Sequence, residues 1–240
     1  MTDKVNDPRR VTLKNVRLSF SESLLHKKKT SNTEDAKLAH SCNLILEADS
    51  PNFAENRDKC RAALDAACAD KWEGQPKKWQ EISEDNRKRV CFRRGETFKN
   101  QTTGEVYEGY AGNLAIAGKG PKAGQQRPSL LDRGKRMLKD QAPPEVVKAG
   151  RTFDEDSILD IFYSGTACDA VVSFYGTEKG GHGVFCSIEA IRSRQEGERV
   201  AGGFDVDPDV FEDLDDDDGF MGGDSGSSTG TDDDDGLGGL

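Results

Sequence analysis

The chain has 240 residues and a formal charge of −10, and that charge is unevenly placed. Residues 205–240 hold 14 Asp and Glu with no Lys or Arg, leaving 30 acids against 34 bases in the first 204 residues, a body of +4. No run of 18 apolar residues exists and Met1 to Arg10 is polar and charged, so neither a membrane-spanning helix nor a signal peptide is expected, and the chain is placed in the cytoplasm.

The six cysteines (Cys42, Cys60, Cys68, Cys91, Cys168, Cys186) form no C-x-x-C, and His26, His40 and His182 do not stand at zinc-finger spacing beside them. They read as buried, reduced thiols. The end of the chain is a low-complexity run of Asp, Gly and Ser. It carries too little apolar surface to offset the entropy of ordering it, so residues 205–240 are expected to be a disordered acidic tail. Residues 1–204 are expected to form one domain with a sizeable core.

Arg9 to Phe20 alternates polar and apolar residues and reads as a strand. Val16, Leu18 and Phe20 fall on one face; Asn15, Arg17 and Ser19 fall on the other, the solvent or ligand side. His26 to Asn32 is a basic loop, and Lys37 to Ala48 contains a second strand around Leu44-Ile45-Leu46. Ser50-Pro51 is a helix start, with Ser as N-cap and Pro at the first helical position. Cys60, Leu64, Ala67, Cys68 and Trp72 then recur at helical spacing, giving an amphipathic helix of about 20 residues.

A second short helix holds Trp79 and Ile82. Val90-Cys91-Phe92 is a short strand followed by Arg93-Arg94, and Tyr107, Tyr110, Leu114 and Ile116 mark a further strand region broken by glycines. From Lys119 to Arg151 nine bases face three acids. Cys168 to Tyr175 and Gly183 to Ile191 form a β-hairpin across a Gly-rich loop expected to be mobile. In that hairpin Phe174 reads as core and Tyr175 as a surface platform; Val184, Cys186 and Ile188 share a face opposite Phe185 and Ser187. Short strands, one good helix and glycine-rich turns give a mainly β fold, a small curled sheet or barrel with an inserted amphipathic helix.

Signatures of catalysis fail. Gly112 to Lys119 has five residues between its glycines where a phosphate loop has four, and Gly120 stands where Ser or Thr binds Mg²⁺. Centring a calcium loop on Gly219 puts Leu214 and Ser225 at ligand positions. No G-x-S-x-G or H-E-x-x-H occurs. No enzyme activity, cofactor or metal is expected.

Bases interleaved with aromatics point instead to single-stranded nucleic acid, because phosphates take Lys and Arg while exposed base faces take rings. The candidate nucleic-acid-binding residues are Arg17, Arg93, Arg94, Tyr107, Tyr110, Lys119, Lys122, Arg127, Arg133, Lys135, Arg136, Tyr175 and Phe185. A tethered polyanion beside a cationic groove competes for it at high effective concentration. Two other readings stand beside this one: an acidic-tailed adaptor or DNA mimic that acts on replication enzymes without coating DNA, and an RNA-binding protein of the same fold.

Several segments together resemble the phage-encoded single-stranded DNA-binding proteins that have an OB-fold core and an acidic C-terminal tail. They are Leu13 to Phe20, Ala170 to Tyr175, the Gly-Gly-His-Gly-Val turn into Ser187-Ile188-Glu189-Ala190-Ile191, and Gly197-Glu198 and Gly202-Gly203-Phe204 leading into the acidic end. The resemblance implies an OB-fold and sequence-independent binding of single-stranded DNA (ssDNA) without catalysis, in phage replication, recombination or repair. It also implies tail contacts with replication or recombination proteins and a place in the host-cell cytoplasm. The tail residues it points to are Asp215, Asp216, Asp217, Asp218, Phe220, Asp232, Asp233, Asp234, Asp235 and Leu240. Related groups close their acidic tip with Phe. This chain ends Gly238-Gly239-Leu240, which moves the expected apolar anchor to Phe220.

Overall fold

The computed structural model describes residues 7–29, 37–100, 102–135, 137–138, 158 and 161–195. The expected domain boundary near 204, the acidic tail with all its candidate residues, and Arg136 lie outside these. In chain order the elements are β1 (Arg10–Ser19), α1 (Glu22–Leu25), β2 (Lys28–Lys29), β3 (Leu38–Ala39), β4 (Ser41–Leu46), α2 (Phe53–Lys71), α3 (Lys78–Asp85), β5 (Phe92–Arg94), β6 (Leu114–Lys119), β7 (Ser129–Leu131), β8 (Met137–Leu138), β9 (Ala167–Thr177) and β10 (Gly183–Gln195). Among the described residues no helix is long and apolar enough to cross a membrane.

Five of the strands close on themselves. β1 pairs antiparallel with β4, β4 with β6, β9 with β1 and β10 with β9; a parallel pairing of β10 with β6 shuts the ring. Closure removes the exposed edges that an open sheet of this size would present. This is the five-stranded barrel of an OB-fold, as the family resemblance implied. β5 adds to the outer edge of β6, and β7 continues along the second half of β10 before turning into β8.

The alternation of each strand decides its faces. Leu13, Val16 and Leu18 of β1, Leu44 and Leu46 of β4, Val172 and Phe174 of β9, and Val184, Cys186 and Ile188 of β10 all join one buried cluster. Gly118 of β6 sits against Ile188; a Cβ there would lie 2.5 Å from the Ile188 side chain. The hairpin faces match expectation, with Phe174 1% and Tyr175 37% exposed.

β1 departs from a simple alternation. Its register slips between Leu13 and Val16, where Asn15 takes a left-handed backbone at φ 51°. The bulge frees polar backbone groups, and two side chains satisfy them. Asn56 of α2, itself buried, donates to the Lys14 carbonyl at 2.7 Å and accepts from the Lys14 amide at 3.0 Å. Asp169 of β9 accepts from the Asn15 amide at 3.0 Å. Further on, Ser19 is buried, not on the solvent side.

The inserted helix is α2, which enters between the second and third barrel strands. Cys60, Ala63, Leu64, Ala67 and Cys68 form its buried face, at the expected spacing. It begins at Phe53, two residues later than the Ser50-Pro51 signal suggested. Ser50 instead closes a turn ahead of the helix: its carbonyl accepts from the Phe53 amide and its hydroxyl from the Asn52 amide. All six cysteines are free and buried. Burial pushes their thiols up, Cys68 to about 11 and Cys91 to about 12, so they are neutral at physiological pH.

Candidate nucleic-acid interface

A cavity of about 580 Å³ opens over the start of β4, the end of β6 and the β9–β10 turn. Its floor is Ser41, Cys42 and Asn43 of β4 with Ala117, Gly118 and Lys119 of β6. One wall comes from the connection after β1, through Phe20 and Lys29. The other comes from Lys88, Arg93, Tyr175, Lys179 and Phe185. This is the face over the second and third barrel strands, flanked by the first and last barrel loops, where OB-folds take up oligonucleotides and oligosaccharides.

The chemistry of the lining is one-sided. Lys29, Lys88, Arg93, Lys119 and Lys179 line the cavity, and no Asp or Glu does. Several cations elsewhere on the body are paired with carboxylates. Arg10 meets Glu189 at 2.8 Å, Arg17 meets Glu47 at 2.5 Å, and Lys59 meets Glu55 at 2.6 Å. Asp169 receives both Arg192 and Arg194. The five groove cations are uncompensated by any described carboxylate, and a concave surface focuses such a field.

Arg93 shows how the fold holds one of them. Its guanidinium lies 4.2 Å over the Phe98 ring, while its buried Nε has no hydrogen-bond partner. Burial lowers its pKa from the usual arginine value, although it remains charged at any physiological pH. The guanidinium fork of a groove-lining arginine suits an incoming oxyanion.

The aromatic residues divide by burial. Tyr175 and Phe185 face each other across β9 and β10 with ring centroids 6.3 Å apart. Arg89 lies 5.2 Å over the Phe185 ring and covers part of it. Phe20 was expected on the core face of β1, yet it is 41% exposed at φ 58° and lines the cavity. Its positive φ turns the chain at the end of the strand and breaks the alternation there. No pattern of period two could have found it.

Tyr107 is half-buried edge-on to Phe20, at 5.0 Å. Tyr110 is a correction. It is 1% exposed in a satellite core with Ile45, Phe98 and Ala115, and its hydroxyl accepts from Asn43 Nδ2 at 2.9 Å. Burial, against hydrogen bonds from Ser19 and Asn43, pushes its pKa up to about 12. It has no ring face left for a base.

The fold disperses the basic stretch after β6. Lys119 lines the groove. Lys122 sits in a left-handed turn next to Ala123, which lines the groove too. Arg127 is half-buried beyond that turn. Arg133 and Lys135 stand exposed on the β7–β8 turn, which leaves along the far half of β10 and contributes nothing to the cavity. Arg17, tied to Glu47, is not part of the cavity lining, and Arg94 is exposed on the flank beyond Arg93.

The Gly-rich β9–β10 turn, expected to be mobile, carries several anchoring contacts. Arg89 donates to the carbonyls of His182 at 3.0 Å, Lys179 at 3.1 Å and Gly181. Trp72 Nε1 donates to Glu178 at 2.9 Å, and the His182 ring packs edge-on to Trp72. Lys88 and Lys179, both missed in the sequence, are brought to the groove by these contacts. Among the described residues no cluster of His, Cys, Asp and Glu is placed to hold a metal ion.

Comparison with known proteins agrees with this architecture. Protein p50 of Acyrthosiphon pisum secondary endosymbiont phage 1 is 25% identical over 207 residues, covering 85% of this chain and 94% of that protein. The solved structure of the single-stranded DNA-binding protein from bacteriophage Enc34 in complex with ssDNA superimposes with a TM-score of 0.55 at 14% identity, over 80% of this chain and 90% of that one. The same bacteriophage protein solved alone gives 0.54 at 14% identity, over 86% and 89%. The family model described as Enterobacter phage Enc34, ssDNA-binding protein, matches residues 9–221. Since that match runs from the first barrel strand past the last and on into the acidic end, the chain belongs to the Enc34 phage ssDNA-binding protein family.

Proposed function

We propose that this protein binds single-stranded DNA without sequence preference, in the groove over β4 and β6, and coats it during phage replication, recombination or repair. The observation that carries the reading is a concave surface lined by five cations, no carboxylate and three accessible aromatic rings. Phosphates would meet Lys29, Lys88, Arg93, Lys119 and Lys179. Bases would stack on Tyr175, Phe185 and Phe20, which present π-faces without base-specific donors and acceptors. Its task is retention of DNA, not chemistry upon it. The acidic tail competes with DNA for the groove and, through Phe220 and its Asp runs, docks replication partners.

The test is a fluorescence titration with poly-dT over a salt series, with and without residues 205–240. Contact with three to five phosphates gives a log–log salt slope of about −2 to −3.5. Truncation takes the net charge from −10 to +4 and tightens binding at low salt, and the gain shrinks as salt screens the tail. Equal affinities at low salt would sink the competition. No retention on poly-dT at all would sink the binding, and displacement by equal-length RNA at matching concentration would turn the reading to RNA.

A further inference from the structure

We infer that the bound strand does not stop at the groove but continues over β5 onto the flank of α2, where Arg57 and Arg61 hold its phosphates. The inference rests on the ssDNA reading of the groove.

Three depressions form a chain because consecutive ones share a residue. Arg93 lines both the groove and an adjoining depression of about 360 Å³ that also holds Arg87 and Arg94. Arg94 in turn lines that depression and a third, of about 400 Å³, with Arg57, Arg61 and Phe53. The second depression contains no acid. The third contains one, Glu96, one of whose carboxylate oxygens accepts from the Gly112 amide at 2.8 Å.

The placement of the helical pair follows from what buries α2. Asn56 and Cys60 point inward, to the β1 bulge and the core, so Arg57 and Arg61, each one residue or about 100° further round, share a stripe one turn apart on the flank of the buried face, Arg57 half-buried and Arg61 exposed. Asp58 pairs with Arg57 at 2.8 Å but is 62% exposed, and such a surface pair is weak competition for a polyanion. Guanidinium forks match phosphate oxygens two at a time, and this track is built of arginine where the groove is mostly lysine.

The experiment compares the full-length chain with R57A/R61A on dT oligomers of about five and about fifteen nucleotides, lengths near the two ends of the range an OB-fold covers. The short oligomer fills the groove alone, so its affinity should hold within about twofold. The long one should lose about tenfold, with a salt slope flatter by about 1.4, the value for two phosphates. R57K/R61K keeps the charge and the helix, and should recover most of the slope. Equal loss on both lengths would reduce the pair to a general field, and no loss on either would remove it from the path; both overturn the inference. A gain on both lengths would show that the surface holds the acidic tail and not DNA, and would overturn it too. If the parent chain binds neither oligomer, the groove reading itself has failed and this inference falls with it.

Discussion

Tyr175 and Tyr110 are the same residue type put to opposite uses. Tyr175 stands on the outer face of β9 beside Phe185, while Tyr110 is sealed behind Phe98 with its hydroxyl bonded to Asn43. Tyr175→Ala should weaken ssDNA binding by about 1–3 kcal/mol with an unchanged melting temperature. Tyr110→Ala should instead cost about 3–5 kcal/mol of stability through the cavity it leaves, read by denaturant titration.

Asp169 is a second residue whose surroundings decide its behaviour. Burial alone would raise its carboxyl. The Asn15 amide, Arg192 and Arg194 outweigh burial and hold it below the ordinary carboxylate value. A depressed folded-state pKa contributes stability above about pH 4 that is lost as pH falls through the depressed value. Asp169→Asn should therefore lower stability at neutral pH and flatten the acid limb of a pH–stability curve. An unaltered acid limb would show that the triad contributes nothing.

At the scale of elements, the β9–β10 turn departs furthest from what its composition suggests. Residues 176–183 contain four glycines and read as a mobile loop. Yet Arg89 gathers three of the turn's carbonyls and caps the Phe185 ring, and Gly183 allows the approach, since a Cβ there would lie 2.7 Å from the Phe185 ring. Arg89→Ala should raise hydrogen exchange at Gly181, whose amide is bonded to Glu178, while the β1–β9 ladder stays protected. Exchange unchanged at Gly181 would mean that Trp72 and Glu178 suffice as the anchor.

α2 was visible from the spacing of Cys60, Leu64, Ala67 and Cys68, because burial of one face imposes that period. Its start was misplaced by two residues. Ser and Pro are also turn residues, and here they serve the turn ahead of the helix.

For the whole molecule, the decisive pattern is which cations are neutralised. Lys88→Ala with Lys119→Ala should flatten the salt dependence of ssDNA binding by about 1.4, the value for two phosphates. Arg133→Ala with Lys135→Ala, on a turn away from the groove, should change it little. Equal effects from the two pairs would mean that binding follows net charge and not the cavity.

The sequence by itself determined the mainly β class, the inserted helix, the buried thiols, the opposed faces of the terminal hairpin and the split between a basic body and an acidic end. All of these follow from local periodicity or from composition, which burial and charge write directly into the chain. The tertiary structure decided which bases act together. Lys29, Lys88, Arg93, Lys119 and Lys179 are scattered over 151 positions and meet because β6 closes against β10 while Arg89 docks the last turn. It also turned Phe20 outward, buried Tyr110 and parted Lys119 from Arg133 and Lys135. Pairing with a distant carboxylate, or its absence, depends on contacts between residues far apart in sequence, and no local pattern encodes them.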